Sequence, residues 1–150
     1  MTTATATLTD TLNALLADNM VFYQKLRAFH WTVRGQEFFS LHAKFESMYK
    51  AWAQVVDDLA ERVLTIGGRP LTTLAAMIEH SQIREASGAP NARAMVSALQ
   101  QDLEAIAQRT RGATAEAEVA DDRGTANLLD TVGDQAEKDA WMLRAWADAK

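Results

Sequence analysis

Apolar residues recur at every third or fourth position through long tracts of this chain, and the tracts are interrupted at few places. The first runs from about Thr9 to Val33, where Leu12, Leu15, Leu16, Val21, Phe22 and Leu26 follow helical spacing and Thr9 or Asp10 stands at the N-cap position. Arg34-Gly35-Gln36 then reads as a tight turn. A second helix is predicted from about Phe38 to Ile66, stopped by Gly67-Gly68-Arg69-Pro70. A short helix over about Leu74 to His80 precedes a polar stretch to Ala89. Pro90 opens a third long helix reaching about Ala120, Asp121-Asp122-Arg123-Gly124 breaks it, and a fourth runs from Gly124 to near Ala149. Ala, Leu, Glu, Gln and Arg dominate these tracts, so helix propensity and periodicity agree.

Short turns join helices one and two and helices three and four, whereas the middle connection spans about twenty residues. That length crosses a bundle, and it predicts an all-α, ferritin-like four-helix bundle with a short extra helix in the crossover between helices two and three. Residues 1–150 form a single domain in this reading, with about residues 1–8 as a short flexible N-terminal segment. A chain of 150 residues needs no covalent staples, and the absence of cysteine excludes disulfides, thiolate metal sites and cysteine nucleophiles. The formal net charge of -5 disfavours non-specific nucleic-acid binding, which rests on Lys and Arg neutralising phosphates. No basic and apolar leader pattern opens the chain, and no stretch approaches the ~18 apolar residues of a membrane span, so a cytoplasmic location is expected.

Candidate chemistry gathers on helix two. A helix turns about 100° and rises about 1.5 Å per residue, which makes His42 and Glu46 neighbours on one face, and likewise Asp57 and Glu61. The step from Glu46 to Asp57 returns to within about 20° of the same direction, so all four side chains line one stripe. Glu46 and Asp57 nevertheless lie ~16 Å apart along the axis, too far to share a metal. If the same helix of a second copy packs antiparallel across a two-fold axis, crossing near Ala51 and Trp52, His42 and Glu46 of one chain face Asp57 and Glu61 of the other. Two equivalent sites about 22 Å apart result, and the small Ala51 permits close approach. Folding helix one back about Gly35-Gln36 lays His30 beside His42. Two imidazoles with two or three carboxylates suit Fe(II), Mn(II) or Zn(II).

The run His30-Trp31-Thr32-Val33-Arg34-Gly35, then Phe38-Phe39-Ser40-Leu41-His42-Ala43-Lys44-Phe45-Glu46, then Asp57-Asp58-Leu59-Ala60-Glu61-Arg62, resembles the Dps family of miniferritins. Gly67-Gly68-Arg69-Pro70 and Glu137-Lys138-Asp139-Ala140-Trp141-Met142 are similar too, and the resemblance covers about residues 8 to 147. It implies a hollow dodecamer with ferroxidase sites at two-fold interfaces. There Fe(II) is oxidised, by hydrogen peroxide in preference to oxygen, and stored as ferric mineral, which protects against oxidative stress. Carried over by position, His30, His42 and Glu46 come from one subunit and Asp57 and Glu61 from its mate, with Zn or Mn able to substitute for iron. The family usually has Asp where this chain has Glu46. A tryptophan after the first histidine lies near the iron in that family, which makes Trp31 a candidate to intercept oxidising equivalents. Its three-fold channels suggest Asp121, Asp122 and Asp130 as an acidic entry pore, although Asn127 stands where the family often has Asp. The family's name refers to DNA binding, commonly through a lysine-rich tail. The first ten residues here hold no Lys or Arg and the last five only Lys150, so DNA binding is not carried over.

Plainer roles are expected elsewhere. His80 reads as a packing or surface residue and Asp58 as a surface or ion-pairing one; Asp121-Asp122 also suits a helix-capping turn. Trp31 and Trp52 are expected first of all at an interface, Trp141 and Trp146 in the bundle or an interface, and Met20, Met48, Met77, Met95 and Met142 in the core. The alternative function is a nucleoid-associated, DNA-compacting protein with incidental metal binding, against which the charge of -5 argues. A purely structural oligomer leaves the five-ligand pattern unexplained. No Glu-x-x-His occurs, which disfavours a di-iron centre within one subunit.

Overall fold

The computed structural model describes residues 1–148, and its helices are α1 (Thr3–Thr32), α2 (Phe38–Thr65), α3 (Leu74–His80), α4 (Ala92–Val119) and α5 (Arg123–Ala147). Lys150 and the helix end expected near Ala149 lie outside the described residues. α1 packs on α2, α3 and α4, α4 packs along α5, and a narrower α2–α5 contact closes the ring. This is the four-helix bundle with a helix-bearing crossover that the periodicity predicts.

Helix α1 departs from expectation at its start. It begins at Thr3, its cap is Thr2 rather than Thr9 or Asp10, and the segment expected to be flexible is helical from Thr3 onward. The Thr2 hydroxyl accepts from the Thr5 amide at 3.1 Å, and Leu8 is already in the core, so the first turns have both a cap and an anchor. Further along, α1 is buried on several faces because three helices touch it, and three short polar side chains use that burial. Asn13 donates to the Arg69 carbonyl at 2.9 Å and accepts from the Leu71 amide at 3.0 Å, fastening the exit of α2. Asp18 accepts from the Gln82 amide at 2.8 Å, the Ser81 hydroxyl at 3.0 Å and Arg109 at 2.7 Å, fastening the crossover and α4 together. Asn19 accepts from the Trp52 indole at 2.8 Å.

Trp52 therefore corrects an expectation: it is fully buried in its own chain, edge-on to Phe22 at 5.2 Å, and does not lie on an interface. Leu41, Phe45, Met48, Trp52, Leu59 and Val63 share the inward face of α2, which leaves Ala51, one residue away and about 100° round, exposed. Met142 is likewise exposed rather than in the core, its sulfur 3.8 Å from the Lys44 ammonium.

Two helices end in the same Schellman geometry with different residues. After α2, Gly67 at φ 87° donates to the Leu64 carbonyl and Gly68 to that of Val63. After α4, Asp121 at φ 56° donates to Glu118 and Asp122 to Ala117. A Cβ on Gly68 would stand 2.7 Å from the Thr9 side chain, so that position is closed to larger residues. Gly67→Ala is expected to lower stability by ~1 kcal/mol and Asp121→Gly to raise it by less than ~1 kcal/mol, since only glycine enters the left-handed region without strain. Urea midpoints at one fixed protein concentration check this, and an unchanged Gly67→Ala midpoint would refute it.

Candidate metal centre

His30 is in the last turn of α1 and His42 in the first turns of α2, and the tight turn between them brings the rings together. The two imidazoles stack with centroids 3.8 Å apart and planes 18° from parallel. His30 Nδ1 lies 2.8 Å from the His42 carbonyl oxygen, and His42 Nδ1 lies 2.8 Å from the His30 carbonyl oxygen. A carbonyl only accepts, so both Nδ1 atoms donate. In a neutral ring that donates through Nδ1 the lone pair sits on Nε2, and a metal binds there. The clasp thus presents two nitrogen donors of one tautomer. Phe38 extends the stack, 4.7 Å from His42 and 25° from parallel, while Tyr49 meets His30 edge-on at 5.3 Å.

The carboxylates are placed less tightly. Glu46 is half-buried, and Lys50, one turn on, lies 3.6 Å from its carboxylate. Asp57 and Glu61 are exposed further along α2, and among the described residues no ion pair within the chain engages them. Asp58 instead accepts from Gln54 at 2.7 Å. Among the described residues, no three of His, Asp and Glu converge within one chain to hold a metal ion. The structure therefore joins His30 to His42 and leaves Asp57 and Glu61 apart from them. Sequence reasoning missed Phe38 and Tyr49, although their offsets from His42, one turn before and two turns after, put them on its face of α2.

Trp31 is 59% exposed, with the Arg27 guanidinium 5.0 Å from its ring. His80 is an exposed residue with Nδ1 2.8 Å from the Ala76 carbonyl of its own helix. Trp141 is exposed, whereas Trp146 packs on the core under Arg93. The three pore candidates do different things. Asp121 is exposed at the end of α4, and Asp130 lies 3.4 Å from Arg111 in a cluster with Asp134 and Glu137. Asp122 caps α5, accepting from the Thr125 amide at 3.0 Å and hydroxyl at 2.6 Å, and it pairs with Arg62 at 2.7 Å.

The comparisons with known proteins agree with this architecture. A model of the ferritin-like domain matches residues 9–149. A protein of Brevibacillus brevis named DNA protection during starvation protein is 44% identical over 137 residues, covering 91% of this chain and 92% of the relative. The chain belongs to the Dps family of ferritin-like proteins. A Dps crystal structure from Bacillus brevis superposes with a TM-score of 0.96 at 41% identity, covering 99% of each chain. A Dps structure from Vibrio cholerae O1, described as a member of a broad superfamily of ferritin-like diiron-carboxylate proteins, has a TM-score of 0.93 at 35% identity and covers 96% of this chain and 91% of its own. Among the described residues no helix is long and apolar enough to cross a membrane.

Asp122 carries a measurable consequence. Burial raises its carboxyl, but the two Thr125 bonds and Arg62 outweigh burial and hold it below the ordinary value of 3.8. A depressed folded value means that the ionised form stabilises the fold above pH ~4 and that this contribution is lost as pH falls further. Asp122→Asn, which keeps a capping oxygen, should be less stable than wild type at pH 6, with the gap closing towards pH 3. Denaturant midpoints of both chains at the two pH values check it; an equal gap at both would show that the charge is irrelevant.

Proposed function

We propose that this chain is the subunit of a ferroxidase and iron store whose sites are each built by two copies. The supporting observation is the reciprocal His30–His42 clasp, which leaves two Nε2 donors on the chain, with exposed Asp57 and Glu61 on the same helix too far along it to join them. Antiparallel pairing of α2 across a two-fold axis brings His30, His42 and Glu46 of one copy to Asp57 and Glu61 of the other. Ala53, exposed and about 30° from the mean direction of that stripe by helical turn, supports the close approach such pairing needs, whereas Ala51 lies round the helix from it.

Fe(II) is the substrate. The carboxylates offset its charge and favour Fe(III), while the clasped imidazoles fix the nitrogen donors before the metal arrives. Two Fe(II) with one hydrogen peroxide and two protons yield two Fe(III) and two waters, so a two-metal site spends the oxidant without radical release. Zn(II) or Mn(II) would occupy the same donors as competitors. Storage of ferric mineral inside a hollow dodecamer completes the reading. Removal of Fe(II) and peroxide together supplies a chemical route to DNA protection, the role in the relative's name. A net charge of -5 speaks against coating the phosphate backbone.

Because each site draws on two copies, defective chains should complement. His42→Ala and Asp57→Ala assemblies are each expected to lose peroxide-driven Fe(II) oxidation by at least an order of magnitude. A one-to-one mixture, dissociated and reassembled, should regain about one quarter of the sites, since half of random interfaces are mixed and one of their two sites is intact. Stopped-flow absorbance after anaerobic Fe(II) loading measures both; no recovery in a mixture shown to be mixed would overturn the shared site. In the same reading, plasmid DNA should run unretarded with the assembled protein at low salt in a mobility-shift gel.

A further inference from the structure

Hydrogen peroxide takes two electrons, and one Fe(II) gives one. A site caught with a single Fe(II) therefore needs a second donor, or the remaining oxidising equivalent leaves as hydroxyl radical. Such a donor must lie close to the metal ligands, be oxidisable, and end in a state that its surroundings tolerate.

Three side chains near the clasp are oxidisable. Tyr49 stands edge-on to His30, with centroids 5.3 Å apart and planes at 70°. Tyr23 stands edge-on to Tyr49 at 6.2 Å and 76°. Trp31 follows His30 in sequence, yet its ring lies under the Arg27 guanidinium at 5.0 Å, and the same guanidinium is 5.5 Å from Tyr23. The fixed cation separates the candidates. An indole that loses one electron becomes a radical cation, which Arg27 opposes at short range. A phenol loses its proton as it is oxidised and ends neutral, so Arg27 costs it little. Tyr49 also has the shorter path, since its ring stands edge-on against that of His30, and it is half-buried rather than enclosed in the core.

We infer that Tyr49 is the one-electron donor to the His30–His42 site when a single Fe(II) meets peroxide, and that Tyr23 is the next station for the radical; the inference rests on the ferroxidase reading above. The O–O bond is cleaved by one electron from Fe(II) and one from Tyr49. The phenolic proton passes to water, and two protons taken up from solvent complete two water molecules. In sum Fe(II), the tyrosine phenol, hydrogen peroxide and one proton give Fe(III), a neutral tyrosyl radical and two waters. Tyr49 is then restored by a hydrogen atom's worth of electron and proton from Tyr23, which carries the radical away from the metal. Each tyrosine acts on the oxidant through the site and binds no metal.

The test loads the whole assembly anaerobically with less than one Fe(II) per site, adds peroxide and freezes the sample within milliseconds for electron paramagnetic resonance. A radical signal that narrows when the wild-type protein carries ring-deuterated tyrosine is expected, whether or not any variant folds. Tyr49→Phe should lose that signal and give several-fold more spin-trapped hydroxyl radical per Fe(II) oxidised. Tyr23→Phe should hold the radical on Tyr49 for longer, and Trp31→Phe should keep the signal. A signal insensitive to tyrosine deuteration, retained in Tyr49→Phe, or lost in Trp31→Phe would overturn the assignment while the ferroxidase reading stands. Absorbance on the same wild-type samples separates the two: if Fe(II) is not oxidised by peroxide at all, the ferroxidase reading falls and Tyr49's role with it.

Discussion

Two hydrogen bonds, each from an imidazole Nδ1 to the backbone carbonyl of the other histidine, tie the end of α1 to the start of α2 and set the donor atoms of the site in the same act. The last carbonyls of a helix lack partners within it, and His42 supplies one to His30. Each bond contributes only ~1 kcal/mol net, so the pair matters less for stability than for direction. The His42 ring cannot turn its Nδ1 away without leaving the His30 carbonyl, at the end of α1, unpaired, whereas the His30 ring adds a second bond to a carbonyl inside α2. Phe38 and Tyr49 close the remaining freedom by packing on the outer faces of the stack. Local backbone satisfaction and ring direction are one constraint here, which under the proposed function sets the donors in place before any metal binds.

The rest of the bundle fixes the register of α1 along its length. α1 touches three helices, and its short polar residues, Asn13, Asp18 and Asn19, take up backbone and side-chain partners from the α2 exit, the crossover and α2 itself. Buried polar groups of this kind are costly when unpaired and directional when paired, so they select one register among many that apolar packing alone would allow. The buried Lys25–Asp102 pair at 2.7 Å works in the same sense. Burial pushes the Asp102 carboxyl up in spite of Lys25, so desolvation offsets the attraction of the pair. Its contribution is the alignment of α1 against α4 rather than free energy.

Periodicity and breakers were enough to place the helices, because Gly67-Gly68 and the Asp121-Asp122 turn end them by backbone geometry that sequence encodes directly. They failed at Thr3, where a threonine cap hidden among other threonines carries no distinctive signal. The same limits apply to the site. His30 beside His42 follows from the turn at Gly35, and the separation of Glu46 from Asp57 follows from helical rise. What no spacing argument reaches is the direction of a ring: the Nδ1–carbonyl clasp and the Arg27 cation over Trp31 depend on rotamers chosen by tertiary packing, whereas the inward face that buries Trp52 with Phe45, Met48 and Leu59 was legible in the spacing. Asp122 shows the ambiguity from the other side, since an acidic turn suits a pore and a helix cap equally until Thr125 and Arg62 are seen to occupy its oxygens.

A ligand set split along one helix has a chemical rationale under the proposed function. A lone chain that bound Fe(II) fully would carry out peroxide chemistry in free solution, beside whatever macromolecules were present. Dividing the donors makes oxidation conditional on assembly, where the product can be enclosed. Under the proposed function Glu46 fits this logic. Its longer side chain reaches Lys50 at 3.6 Å, an exposed pair of a kind that contributes ~0–1 kcal/mol. So weak a contact occupies the carboxylate while no metal is present and yields it readily to a dication, because the metal's charge and donor geometry far outweigh one solvated ammonium. Under the proposed function, so weak a contact leaves the Glu46 carboxylate available as a donor once a second copy's carboxylates complete the site.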